Sequence, residues 1–263
     1  MREEKFIRNN VRLSYAKEKI SEDRGDFWVY YVIRRISFYP TWLFLKLGIS
    51  ANQATYISMV VGVGGCWLLA FGNYVTRVTG ALLVNFWIIL DCVDGNIARY
   101  KETSSDYGEF IDALGGYLLN AILFLFVGIG AFRNPESSFK FANRIFAGNL
   151  DKTILVILGA WGSLAVIFSR LIFHKFMNIF SQAKNAESKS EIEFAKGSQR
   201  VVYLIAHNIV SFSGFLLPIL FMAVIFRLLA MFVFLYALMN TIILIVTTYR
   251  VVLKSQKLES QKS

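Results

Sequence analysis

Asp91-Cys92-Val93-Asp94-Gly95-Asn96-Ile97-Ala98-Arg99 closes an apolar run that begins near Arg77, and after a short polar break Gly108 and Asp112 open the next one. Three carboxylates thereby stand inside sequence that otherwise reads as membrane-spanning helix. A carboxylate at membrane depth is costly, which points to a function and to a partner. Without a Lys or Arg to balance each one, the three call for a cation, and hard oxygen ligands suit Mg²⁺, Mn²⁺ or Ca²⁺. On a helix Asp91 and Asp94 share a face that Ala98 extends, and Gly108 and Asp112 share another. The connection between the two runs is short, so the two faces are expected to meet.

The rest of the chain supplies the frame. Of its 263 residues 56% are hydrophobic and 17% charged, and the mean hydropathy is +0.50, more apolar surface than a soluble domain of this length could hide. Six runs, at roughly 53–72, 77–98, 107–131, 153–173, 205–226 and 228–249, approach or exceed the ~20 residues that cross a bilayer. Gly214 and Pro218 interrupt the fifth, and Arg227 marks a short turn before the sixth. Residues 1–26 are polar. Residues 27–47 mix aromatic side chains with Arg34, Arg35 and Lys46, which favours a segment lying in the interface, and Pro40 is expected to break any single helix there. The fold class is therefore an all-α polytopic membrane protein, with six transmembrane helices preceded by an interfacial amphipathic segment. Residues 1–50 form the arm and interfacial segment, 51–250 the membrane domain and 251–263 a tail.

The net charge is +10, and 22 of the 28 Lys and Arg fall in segments 1–50, 99–107, 170–200 and 250–263. The positive-inside rule then places both termini, the polar loop 181–200 and the three carboxylates on the cytoplasmic side, and it explains the basic balance without nucleic acid. The first 25 residues carry no apolar signal core, so no cleaved leader is expected. Cys66 and Cys92 support neither a disulfide framework nor a metal spacing and read as small buried thiols. His174 and His207 lie far from the acidic cluster, and no Ser–His–Asp arrangement is suggested. Gly95 and Gly108 let a ligand or backbone approach closely, and Arg99 can grip phosphate bidentately. Carboxylates for metal, small residues and one Arg suit a diphosphate-containing substrate.

The stretch resembles the signature of the CDP-alcohol phosphotransferase family, D-x2-D-G-x2-A-R-x8-G-x3-D-x3-D, through Asp91, Asp94, Gly95, Ala98, Arg99, Gly108 and Asp112 with every spacing intact. The entry Gly48-Ile49-Ser50-Ala51-Asn52-Gln53-Ala54-Thr55 is similar to the family's approach to its first span. The resemblance covers roughly residues 30–250. It implies an enzyme that transfers a phosphoalcohol or phosphatidyl group from a CDP-linked lipid or alcohol to an acceptor hydroxyl and releases CMP, in phospholipid or related glycolipid and polysaccharide synthesis. It also implies one or two Mg²⁺ or Mn²⁺ ions on Asp91, Asp94 and Asp112, and a CDP pocket lined by Gly95, Ala98, Arg99, Ser105 and Gly108. Asn52 and Thr55 would add polar contacts. Membrane lipids and a second copy in a homodimer are the implied partners. The donor's alcohol and the acceptor stay open.

The family pattern ends on a fourth Asp, and here that position is Gly116. Three readings follow. Glu109, about 60° round the helix from Asp112, substitutes as the base; or the acceptor supplies its own base; or catalysis is lost and the chain is a CDP- or lipid-binding scaffold. Asn120 lies two turns beyond Asp112 and is no base. Gly115-Gly116 also reads as a helix-packing pair. Arg170 is a candidate for an anionic acceptor, against a snorkelling interfacial Arg. Lys196 and Arg200 read as positive-inside bias, and His207 and Asn208 as candidate substrate contacts, against a hydrogen-bonded interior role for the His.

Overall fold

The computed structural model describes residues 2–13, 23, 25–134, 139–140, 143–144, 148, 150–180 and 208–260. Among these residues the regular elements are all helical. They are α1 (Arg2–Leu13), a π-helical turn (Val29–Ile33), α2 (Arg34–Lys46), α3 (Ala51–Phe71), α4 (Tyr74–Lys101), α5 (Asp106–Arg133), α6 (Ile154–Ile179), α7 (Leu216–Ile225) and α8 (Leu229–Ser260). Five of them, α3, α4, α5, α6 and α8, are long and apolar enough to cross a membrane. The chain is an all-helical integral membrane protein. The fifth apolar run gives only the ten-residue α7 among the described residues. The chain bends through 211–215 just ahead of it, at the interruption marked by Gly214. The loop 181–200, Lys196, Arg200 and His207 lie outside the described residues.

One expectation is corrected. Pro40 sits inside α2, and the backbone is helical without a break from Phe27 to Lys46. Proline removes one backbone donor. Around it Ser37 Oγ donates to the Arg34 carbonyl at 2.9 Å and Thr41 Oγ1 to the Ser37 carbonyl at 2.7 Å. Neither serves the carbonyl that Pro40 leaves without its donor, which is that of the exposed residue Ile36.

The chain divides into two compact units, residues 1–119 with 201–226, and residues 120–200 with 227–263. In the first, α3 and α4 cross where Gly65 meets Gly80. A Cβ on Gly65 would stand 2.9 Å from the Gly80 carbonyl oxygen, and one on Gly80 would stand 2.7 Å from that of Gly65. Only glycine allows backbones this close, and in a membrane such packing is a main source of helix association. Cys66, Leu69, Ala81 and Val84 fill the surrounding core, and Cys66 and Cys92 are buried free thiols.

The N-terminal side of the first unit is clasped to the segment ahead of α7. Asn208, 2% exposed, accepts from the Phe27 N–H and donates to the Gly25 carbonyl, both at 2.7 Å. Ser213 Oγ donates to Asp26 at 2.6 Å. Asn208 is thus an interior structural residue. Arg34, read from sequence as interfacial, is buried and paired at 2.6 Å with buried Asp23.

In the second unit α5 and α6 approach at Gly128 and Gly159, where a Cβ on Gly128 would stand 2.5 Å from the Leu155 carbonyl oxygen. Phe124, Phe232 and Tyr236 stack beside this contact, and Trp161 Nε1 donates to Thr241 at 2.7 Å.

Candidate functional site

Four chain ends of the first unit are fixed by local chemistry before any tertiary contact. α2 stops at Gly48, whose φ of +74° closes the helix. The Ile49 N–H returns to Phe44 O at 2.9 Å and the Gly48 N–H to Leu45 O at 3.2 Å, the paired bonds of a Schellman stop. Two residues on, α3 starts in a capping box. Ser50 Oγ accepts from the Gln53 N–H at 3.3 Å, and Gln53 Oε1 accepts from the Ser50 N–H at 2.9 Å. α4 ends with the same paired bonds as α2, Thr103 N–H to Ala98 O at 2.9 Å and Glu102 N–H to Arg99 O at 3.3 Å. Here the left-handed position is held by Glu102 at φ +55°. α5 then begins after Ser105, whose Oγ accepts from the Gly108 N–H at 3.1 Å. Beneath these ends Ala54, Val93 and Ile97 are fully buried, with Phe44, Leu45 and Ile49 packed on them.

Three of these ends, the start of α3, the end of α4 and the start of α5, enclose with the 102–105 loop a cavity of about 390 Å³. Asn52 and Thr55 line it from α3, Asp94, Gly95, Ala98 and Arg99 from α4, and Ser105, Gly108, Glu109 and Asp112 from the loop and α5. Nine of the sequence-derived metal and substrate residues, with Glu109, are therefore brought together around one space. Two are not among its lining residues. Asp91 lies half-buried one turn before Asp94, and Arg170 is an exposed residue of α6 in the second unit. Ala51, Thr103, Ser104 and Asp106 also line the cavity and were not singled out. The polar run Thr103-Ser104-Ser105-Asp106 between two apolar spans was the signal available for three of them.

Within the cavity Asp94 is 6% exposed and accepts from Thr55 Oγ1 at 2.6 Å and from the Gly95 N–H at 2.5 Å. Asp112 and Arg99 act on it electrostatically. The Arg99 guanidinium lies back over Gly95, where a Cβ would come within 3.2 Å of Nη1, and its Nη2 donates to Asn96 Oδ1 at 3.0 Å. Gly108 leaves equivalent room, since a Cβ there would stand 3.3 Å from both Asn52 Oδ1 and Ser105 Oγ. Around Gly116 nothing lies within 4 Å of the Cβ position. A Cβ on Gly115 would instead stand 3.0 Å from Met59 Cγ, so the packing role read for the pair belongs to Gly115.

Among the described residues no group of three or more His, Cys, Asp or Glu is arranged to hold a metal ion. The donor set still favours one. Four carboxylates, Asp94, Asp106, Glu109 and Asp112, line the cavity against the single guanidinium of Arg99. Two of the four, Asp94 and Asp112, repel each other across it. Such an excess of hard anionic oxygen is a donor set that a divalent cation would suit.

Comparison with curated proteins finds no match. Residues 49–243, which contain every residue lining the cavity, match the family described as CDP-alcohol phosphatidyltransferase, and the chain belongs to that family.

Proposed function

We propose that this chain is a metal-dependent transferase that moves a phosphatidyl or phosphoalcohol group from a CDP-linked donor to an acceptor hydroxyl, in phospholipid or related glycolipid or polysaccharide synthesis. The observation that carries the reading is the single cavity shared by Asn52, Thr55, Asp94, Gly95, Arg99, Gly108 and Asp112. The acceptor oxygen bonds to the phosphorus that carries the donor's alcohol. That phosphorus loses its bond to the bridging oxygen, and CMP leaves with the bonding electrons. Arg99 and the electropositive first turn of α3 at Ala51 and Asn52 receive the diphosphate. Gly95 and Gly108 keep the walls low enough for it to lie against backbone. Glu109, exposed on the cavity wall one turn before Asp112, takes the acceptor's proton. Asp94 and Asp112 would hold the cation, and Asp91, one turn earlier and outside the cavity lining, is the third ligand that the family resemblance implies. When bound, the ion neutralises the diphosphate and the charge that grows on the leaving oxygen.

The membrane domain spans residues 51–250 with six crossings, between an N-terminal arm (1–50) and a C-terminal tail (251–263), both in the cytoplasm. The cavity then opens to the cytoplasmic side. The support is the distribution of basic residues, 22 of 28 in the segments assigned inside. Homodimerisation belongs to the same reading and rests on the family resemblance.

A second reading, a silent CDP- or lipid-binding scaffold, is favoured by one observation, the glycine at position 116 with open space where the family's fourth carboxylate would stand. The test supplies purified full-length protein with CDP-diacylglycerol or a CDP-linked small alcohol and Mg²⁺ or Mn²⁺. CMP is then measured across inositol phosphate, glycerol phosphate, amino alcohols and a polyprenyl-linked sugar. The transferase reading expects CMP from at least one pair. Binding of CDP with no CMP from any pair, together with activity gained in Gly116→Asp, establishes the scaffold instead.

A further inference from the structure

We infer that Asn96 is a positioning residue for Arg99, and that it is itself set by two hydroxyls of α2, Ser37 and Thr41, outside the signature. The inference rests on the proposed nucleotide reading only for what Arg99 binds.

A hydroxyl has one proton to give. Ser37 Oγ gives its proton to the Arg34 carbonyl at 2.9 Å, and Thr41 Oγ1 gives its own to the Ser37 carbonyl at 2.7 Å. Towards Asn96 both can only accept, and Asn96 Nδ2 donates to each at 3.1 Å. Both amide hydrogens are then used, the side chain cannot flip, and its carbonyl must face the other way. There Oδ1 accepts from Arg99 Nη2 at 3.0 Å. Ser37 and Thr41 are fully buried and Asn96 is 1% exposed, so water does not compete for these bonds.

Arg99 is otherwise a long side chain with much rotamer freedom to lose when it orders around an anion. Gly95 gives it a surface to lie on, and Asn96 gives one nitrogen a fixed acceptor. The guanidinium then lines the cavity in a set direction. The arrangement also explains why three polar side chains stand wholly buried between α2 and α4, where apolar ones would cost less to bury. They form a line of partners that ends on the cation of the cavity wall.

The test uses the full-length protein in detergent and the double variant Ser37→Ala/Thr41→Val, which frees the Asn96 amide without touching the cavity. CDP affinity is measured with Mg²⁺ in the native and Arg99→Ala backgrounds. The expected result is about tenfold weaker binding in the native background and no further loss once Arg99 is gone. Equal losses in both backgrounds overturn the inference. Thr41→Ser, which keeps the hydroxyl, is expected to bind as the native chain does, and tenfold weakening in it also counts against the relay.

A second readout needs no nucleotide. Arg99 modification by an arginine-selective dicarbonyl is followed by peptide mass spectrometry, with Arg35, on α2 beside Ser37 and Thr41, reporting any general loosening of that helix. Several-fold faster modification at Arg99 alone is expected in the double variant. Equal rates at Arg99, or equal acceleration at Arg35, refute the relay. If the native protein binds no CDP, the nucleotide reading fails while the dicarbonyl rates still judge the relay.

Discussion

Thr55 Oγ1 donates a 2.6 Å hydrogen bond to Oδ2 of Asp94, across the interface of α3 and α4 and 39 residues apart in sequence. Its other candidate acceptor, the Ala51 carbonyl, is at 3.2 Å, so the proton belongs to the carboxylate. A donor aimed at one oxygen fixes the Asp94 carboxylate plane and leaves its free lone pairs facing the cavity. It also couples the entry of the first span to the signature on the second.

Replacing Thr55 by Val keeps the shape and removes the donor. Both residues are buried, so the expected cost is about 1–2 kcal/mol of stability in detergent. CMP formation, or CDP–Mg²⁺ affinity, is expected to fall about tenfold through misorientation of Asp94. Thr55→Ser retains the hydroxyl and should recover most of both. A Val variant with native affinity and turnover would show that Asp94 needs no orienting donor.

The neighbouring glycines of α5 are expected to respond in opposite ways. At Gly116 a methyl group meets open space, so Gly116→Ala should gain roughly the helix-propensity difference, about 0.5–1 kcal/mol. At Gly115 the same methyl would press on Met59, and the gain should vanish or reverse. Thermal unfolding of both variants in one detergent decides the matter. A destabilised Gly116→Ala would mean that a neighbour covers this position in the assembled protein.

The left-handed residue that ends α4 offers a third contrast. Gly48 and Glu102 close the same paired-bond stop, at φ +74° and +55°. Glycine takes that conformation freely, while a side chain costs about 1 kcal/mol. Glu102→Gly is therefore expected to raise stability by about 0.5–1 kcal/mol, read as an upward shift of Tm. It should also loosen the 102–105 loop on the cavity rim. A variant more stable and less active would identify the strain as part of the site's rigidity.

The parts of the site that sequence made legible are those encoded at helical spacing on one or two elements. Asp94, Gly95, Ala98 and Arg99 lie within two turns of one helix, and Gly108, Glu109 and Asp112 within the first two turns of the next, so periodicity alone puts them on meeting faces. Asp91 shows the limit of that reasoning. Three-residue spacing places it near the face of Asp94, yet the cavity is lined only from Asp94 onward. What sequence could not show is the pairing of distant polar residues. Asn96 falls on an unspecified position of the signature, and Ser37 and Thr41, more than 50 residues earlier, are what hold it. Asn208 reads as a substrate contact until its amide is found spent on Phe27 and Gly25. Pro40 reads as a break, yet the one carbonyl it leaves without a donor belongs to the exposed residue Ile36, and the helix continues through it.

Arg34 and Asp23 make the last case of this kind, and the most testable for stability. Arg34 is 8% exposed and Asp23 5%, and Arg34 Nε donates to Asp23 Oδ2 at 2.6 Å. Removing one partner of a buried pair strands the other charge, at a typical cost of about 3–5 kcal/mol. Asp23→Ala is therefore expected to lower stability by about 3 kcal/mol, and Asp23→Asn, which keeps an acceptor, by less. The loss should also reach the cavity, because Arg34 begins the helix whose Ser37 and Thr41 hold Asn96. Weaker CDP binding in Asp23→Ala, measured below its unfolding temperature, would show that reach. A variant as stable as the native chain would mean that Arg34 finds another partner or escapes to solvent.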